Sequence, residues 1–120
     1  MERPLTVLVV DDEPHIRLLM KTVLEGRGLR VLTAEDGRRG HELVISLAPD
    51  LVLLDWEMPG VGGEDFLALL GADGNATPVM VITGSADVSG VADFPQVVDF
   101  LAKPFDVWEL ADRVDRLLER

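Results

Sequence analysis

No cysteine occurs among the 120 residues, so disulfides, thiolate metal centres and cysteine nucleophiles are excluded. Basic residues are scarce: 11 Lys and Arg stand against 22 Asp and Glu, for a net charge of −11. That balance repels nucleic-acid phosphates and anionic lipid, so neither direct nucleic-acid binding nor membrane association is expected. Long apolar runs are missing too. Between Met1-Glu2-Arg3-Pro4 and Asp11 lie only the mostly apolar residues 5–10, far short of the roughly 18 that span a bilayer. There are no repeats and no low-complexity segments. The length suits one core of ordinary size, so a single domain over residues 1–120, soluble and cytoplasmic and without an output domain, is the expectation.

What is there is an alternation of short apolar runs with longer amphipathic stretches, the pattern of successive βαβ units. The runs are Thr6–Val10, Leu29–Thr33, Leu51–Leu54, Val79–Thr83 and Val97–Leu101. The first, third and fourth are apolar almost throughout rather than alternating, which predicts strands buried on both faces. A first helix should begin at Pro14, turn Ile16, Leu19, Met20, Val23 and Leu24 inward, and stop at Gly26. A second runs from about Arg38 to Ala48, with Leu43, Val44 and Leu47 inward and Pro49 ending it. A third carries Phe66, Leu67 and Leu70 and breaks in Gly71-Ala72-Asp73-Gly74-Asn75. The last, Pro104–Arg120, places Val107, Trp108, Leu110, Ala111, Val114, Leu117 and Leu118 inward. Residues 84–96 contain Gly84, Gly90 and Pro95, so the fourth crossover holds a short or irregular helix. Right-handed crossovers then put helices on both faces of a five-stranded parallel sheet.

Polar residues stand at four strand ends: Asp11 and Asp12 after the first strand, Asp55 after the third, Thr83 at the end of the fourth, and Lys103 after the fifth. Each has a plain structural reading. Asp12-Glu13-Pro14 suits a helix N-terminus, where negative charge is favoured by roughly 0.3–1 kcal/mol. Asp55 opens the turn-rich Trp56-Glu57-Met58-Pro59-Gly60 and serves equally as a solvated loop acid; Thr83 is a β-former, and an isolated lysine is usually solvated. Taken together they point elsewhere, because open α/β sheets bind ligands at the carboxyl ends of their strands. Three crowded carboxylates repel one another unless a cation is bound, and Mg2+ answers that need with oxygen ligands. An Asp carboxylate beside such an ion is a nucleophile for a phosphoryl group, with an ammonium and a hydroxyl to neutralise its oxygens.

Four motifs carry a resemblance: Val9-Val10-Asp11-Asp12-Glu13-Pro14, Leu53-Leu54-Asp55-Trp56-Glu57-Met58-Pro59-Gly60, Val81-Ile82-Thr83-Gly84 and Phe100-Leu101-Ala102-Lys103-Pro104-Phe105. In this order they resemble the receiver domains of two-component response regulators, the chemotaxis-regulator-like family, over essentially the whole chain. The resemblance implies a flavodoxin-like, doubly wound α/β fold with strand order 2-1-3-4-5. It implies Asp55 as phosphoacceptor, with Mg2+ held by Asp12, Asp55 and the backbone carbonyl of Glu57, and by Asp11 mostly through a coordinated water. Lys103 resembles the residue that pairs with a phosphoryl oxygen, Thr83 the hydroxyl that moves to it, and Phe100 the aromatic that follows Thr83 inward. Glu57 and Ser85 resemble the rate-tuning positions. The implied phosphoryl donor is a histidine kinase or histidine phosphotransfer protein, and the implied receiver of the signal a downstream protein or output domain. Such a domain is not an enzyme in the ordinary sense, since it catalyses only its own phosphorylation and dephosphorylation.

Two departures stand out. Residues 84–102 are slightly fewer than is typical, and Pro95-Gln96-Val97-Val98 replaces the usual Gly-Ala before the fifth strand. Two other readings are weighed beside this one. A phosphorylation-independent pseudo-receiver is opposed by the presence of Asp11, Asp12, Asp55, Thr83 and Lys103. A haloacid-dehalogenase-like phosphatase is opposed by Asp11-Asp12-Glu13, where that family has Asp-x-Asp, and by the lack of a cap domain. His15 and His41 are expected to be isolated, solvated surface residues.

Overall fold

The structure, a computed structural model, describes residues 3–84 and 90–119. Along the chain these form β1 (Thr6–Val10), α1 (Pro14–Gly26), β2 (Arg30–Ala34), α2 (Gly37–Leu47), β3 (Leu51–Asp55), α3 (Gly63–Ala72), β4 (Val79–Thr83), a 3-10 turn (Val91–Asp93), β5 (Val97–Ala102) and α4 (Val107–Leu117). All strand pairs are parallel, in the order β2-β1-β3-β4-β5. The expected doubly wound α/β sheet is therefore present. Of the fourth crossover, Gly84 and residues 90–96 are described, with Val91–Asp93 in a 3-10 turn, and the rest of the expected short or irregular helix lies outside the described residues. Ser85 lies outside the described residues.

Strand side chains alternate faces, and both faces are covered. Val7, Val9, Leu51, Leu53, Met80, Ile82 and Leu101 pack with Met20 and Leu24 of α1 and with Leu110, Ala111 and Val114 of α4. On the other face, Leu8, Val10, Val52, Leu54, Val79 and Val81 pack with Leu43 and Val44 of α2 and Phe66, Leu67 and Leu70 of α3. This is why β1, β3 and β4 read as unbroken apolar runs. At the margin, β5 is only partly buried, and its pairing with β4 slips between Val79 and Met80, which register with Val97 and Asp99.

Local chemistry sets the helix ends. Pro14 opens α1 at its first turn, as its fixed φ allows. Asp36 caps α2 by accepting from the Arg39 amide, so that helix starts one residue earlier than the periodicity indicates. Asp106 accepts from the Trp108 and Glu109 amides, which makes α4 begin at Val107 rather than Pro104.

Three expected core residues face outward: Leu19, Leu47 and, most of all, Trp108, which is 60% exposed. Two residues along a helix rotate about 200°, so Trp108 lies nearly opposite Leu110 and cannot share its buried stripe. Leu47 is the last residue of α2, and Leu19 lies at the rim of a groove it lines with Ile16 and Phe105. His41 also differs from expectation: it is half-buried, and its Nε2 lies 2.5 Å from Asp73 just past α3, linking α2 to α3.

Glycine permits one close contact that matters for the site. The Gly37 amide donates to the Val61 carbonyl at 3.1 Å, and a Cβ on Gly37 would lie 2.6 Å from that same oxygen. The β3–α3 loop is thereby clamped onto the start of α2. No helix among the described residues is long and apolar enough to cross a membrane.

Candidate phosphoryl and metal site

Parallel strands end side by side, and the site is built on those ends. Trp56 donates its amide to the Ile82 carbonyl at 2.9 Å, and Lys103 donates its own to the Thr83 carbonyl at 2.9 Å. These bonds extend the β3–β4 and β4–β5 ladders past Asp55 and Thr83, which brings residues 55, 83 and 103 together. The β1 end contributes Asp11, whose amide donates to Ala34 at 3.1 Å. The Lys103–Pro104 peptide bond is cis.

Asp55 is the last residue of β3 rather than the first of a loop, and it is only 2% exposed. The solvated-acid reading is therefore excluded. Its Oδ1 accepts from Lys103 Nζ at 2.8 Å and from the Glu57 amide at 3.3 Å. Burial nevertheless pushes its carboxyl up to about 6, aided by the charge of Asp11, and Lys103 only partly restrains the rise. For Lys103, burial opposes the charge, but the hydrogen bond to Asp55 and the charges of Asp55, Asp11 and Glu57 outweigh it and raise its pKa.

Asp11 and Asp12 part company. Asp11 is 1% exposed; its Oδ1 accepts from the Glu13 amide at 2.8 Å, whereas Oδ2 is buried with no hydrogen-bond partner. Burial raises its pKa, with the Glu13 amide and Lys103 acting against the shift. Asp12 is exposed just ahead of α1, whose N-cap Glu13 makes no side-chain cap hydrogen bond. One carboxylate oxygen each from Asp11, Asp12 and Asp55 lie within 4.8 Å of one another. An orphaned buried oxygen among three carboxylates fits a small, hard cation such as Mg2+.

Thr83 is buried at the end of β4, and its hydroxyl donates to Glu57 Oε1 at 2.5 Å. The Gly84 amide donates to the same oxygen at 3.1 Å. Sequence reasoning missed this role of the Glu57 carboxylate. The available signal was its place two residues past Asp55, in a turn that crosses the end of β4. Phe100, half-buried on β5, packs on the α2–α3 side of the sheet along with Trp56 and Met58. Asp11, Asp12, Asp55, Lys103, Thr83 and Glu57 thus gather at one end of the sheet, with Phe100 farther back along β5.

Comparison with known proteins bears on the family and the fold. The family model for the response regulator receiver domain matches residues 7–115. The phosphate regulon transcriptional regulatory protein PhoB of Pseudomonas aeruginosa is 33% identical over 96% of this chain and 52% of its own length. The KDP operon transcriptional regulatory protein KdpE of Escherichia coli is 37% identical over 95% of this chain and 51% of its own. This chain spans about half the length of those relatives. Among solved structures, the receiver domain of the Francisella response regulator 1452 is 31% identical, covers 98% of both chains and superposes with a TM-score of 0.87.

Proposed function

This chain belongs to the response regulator receiver domain family, and from that premise we propose that it is a phosphorylatable signalling receiver whose phosphoacceptor is Asp55. The single observation that carries this reading is the ion pair at 2.8 Å between buried Asp55 and half-buried Lys103, set among two further acids at the ends of parallel strands. A lysine salt bridge alone would be structural; with a cation site beside it, the pair forms a phosphoryl-transfer centre.

An Asp55 carboxylate oxygen attacks phosphorus, an O–P bond forms, and the P–N bond of a donor phosphohistidine breaks with its electron pair returning to the imidazole. Asp11, Asp12 and Asp55, with the Glu57 carbonyl, are the residues that would hold Mg2+, and when bound that ion supplies neutralising charge for phosphoryl oxygens. Lys103 stays in ionic contact as charge moves from Asp55 to the phosphoryl group. The Thr83 hydroxyl is the donor that turns to the new anion, and Phe100 moves into the space it leaves. Modification adds about −1.5 to −2 charge, which is the bias such a two-state element needs.

The donor in this reading is a histidine kinase or histidine phosphotransfer protein, and the output is a downstream protein or domain. The domain occupies residues 1–120 and works in the cytoplasm. With a net charge of −11 it would make no direct contact with nucleic acid. The names of PhoB and KdpE as transcriptional regulators describe proteins about twice as long. Turnover is limited to its own phosphorylation and dephosphorylation.

Incubation with acetyl phosphate and Mg2+ tests the proposal: intact-protein mass spectrometry should show one added phosphoryl group, lost in Asp55→Asn. An unmodified wild-type protein would favour a phosphorylation-independent module instead.

A further inference from the structure

The Glu57 carboxylate lies where two donors converge. The Thr83 hydroxyl reaches Oε1 at 2.5 Å, and the Gly84 amide reaches Oε1 at 3.1 Å and Oε2 at 3.3 Å. A hydroxyl and a backbone N–H aimed at one anionic group make an anion notch. That notch borders Asp55, because Asp55 is in register with Ile82, the residue immediately before Thr83, and the Glu57 amide itself donates to Asp55 Oδ1.

We propose that Glu57 is an internal competitor for the phosphoryl group: its carboxylate occupies the Thr83 and Gly84 donors in the resting protein and has to leave before they can receive phosphoryl oxygens on Asp55. This rests on the reading of Asp55 as phosphoacceptor and deepens it. A threonine hydroxyl has one proton to donate, so it serves one acceptor at a time. A second anion in the notch is also repelled by the carboxylate already there, and Lys103, committed to Asp55 at 2.8 Å, does not neutralise both. Glu57 is an exposed residue on the clamped β3–α3 loop, so its side chain can swing into solvent while the loop stays put. Binding being reciprocal, whatever Glu57 subtracts from phosphoryl affinity the phosphoryl group subtracts from the Glu57–Thr83 contact. Phosphorylation therefore does two things at once: it engages Thr83 and releases Glu57.

The test is a double-mutant cycle on binding of beryllofluoride, a phosphoryl mimic, at saturating Mg2+, read by the fluorescence of Trp56, which adjoins Asp55. Glu57→Ala should tighten binding by roughly tenfold, the scale of a charge-assisted hydrogen bond. In the Thr83→Ala background the same change should have a smaller effect, about threefold, because one of the two contested donors is gone and only the Gly84 amide remains. Glu57→Gln, which keeps the shape and removes the charge, should move affinity in the same direction by less. Equal affinity of wild type and both Glu57 variants would overturn the proposal. So would an undiminished tenfold effect in Thr83→Ala, which would place the action of Glu57 on the metal or on water. Failure of wild type and variants alike to bind beryllofluoride would instead overturn the phosphoacceptor reading, and this proposal with it.

Discussion

Leu53 and Asp55 are two residues apart on one strand, point to the same face, and are equally hidden from water, at 0% and 2% exposure. Their energetics are opposite. In the middle of the sheet, burial removes apolar surface from water and stabilises the fold by roughly 25 cal/mol for each Å². At the carboxyl end the same burial raises the Asp55 carboxyl to about 6, so at neutral pH the protein holds a charge it would be more stable without. The fold concentrates this cost at the strand ends that carry the candidate site, and the all-apolar centre of the sheet supports it.

The sharpest way to break that contrast is to weaken the centre. Phe66 is fully buried against the α2–α3 side of the sheet, so Phe66→Ala should destabilise the protein by about 3–5 kcal/mol in urea unfolding. Trp108→Ala, by contrast, should stay within about 0.5 kcal/mol, since its ring is largely solvated. A large loss at Trp108 would contradict its outward placement.

At the carboxyl end the sign reverses. A carboxyl whose folded pKa lies above its unfolded value imposes no penalty below about pH 4, and stability falls as pH rises through about 6. Asp55→Asn should therefore be more stable than wild type in metal-free buffer at pH 7.5, by on the order of 2 kcal/mol. The advantage should vanish near pH 4. An advantage that does not change with pH would show that Asp55 carries no buried charge.

A smaller effect than that of Asp55→Asn sharpens the comparison from the ligand side. Mg2+ at ten times its dissociation constant should stabilise wild type by about 1.4 kcal/mol in thermal melts, because it binds the folded state alone. Asp11→Asn should lose most of that gain. Stabilisation retained in Asp11→Asn would separate the cation from the buried, unpartnered Asp11 oxygen.

Much of this was legible beforehand because it is local. Continuous apolar runs in β1, β3 and β4 signal two-sided burial, and Pro14 and Gly26 bound α1 as they stand in the chain. The strand-end acids, Thr83 and Lys103 were legible for the same reason. What was not legible depends on where a helix starts or on what a neighbouring segment presents. The start of α4 at Val107 was hidden because the Asp106 cap could not be weighed against Pro104 from spacing alone, whereas Trp108 runs against the helical period itself, which sets it nearly opposite Leu110. His41 reads as isolated in the sequence because Asp73, its partner, is 32 residues away. Asp11 and Asp12 look identical in sequence, yet only the first is enclosed.

By itself, then, the sequence determined the fold class, the strand order through its family resemblance, and the residue types at each strand end, since periodicity and punctuation act over a few residues. Tertiary structure alone decided that Asp55 is buried against Lys103, that one oxygen of Asp11 is left unpartnered, and that Glu57 holds the Thr83 hydroxyl. Those outcomes depend on register between strands far apart in the chain, where a shift of one residue turns every side chain to the other face.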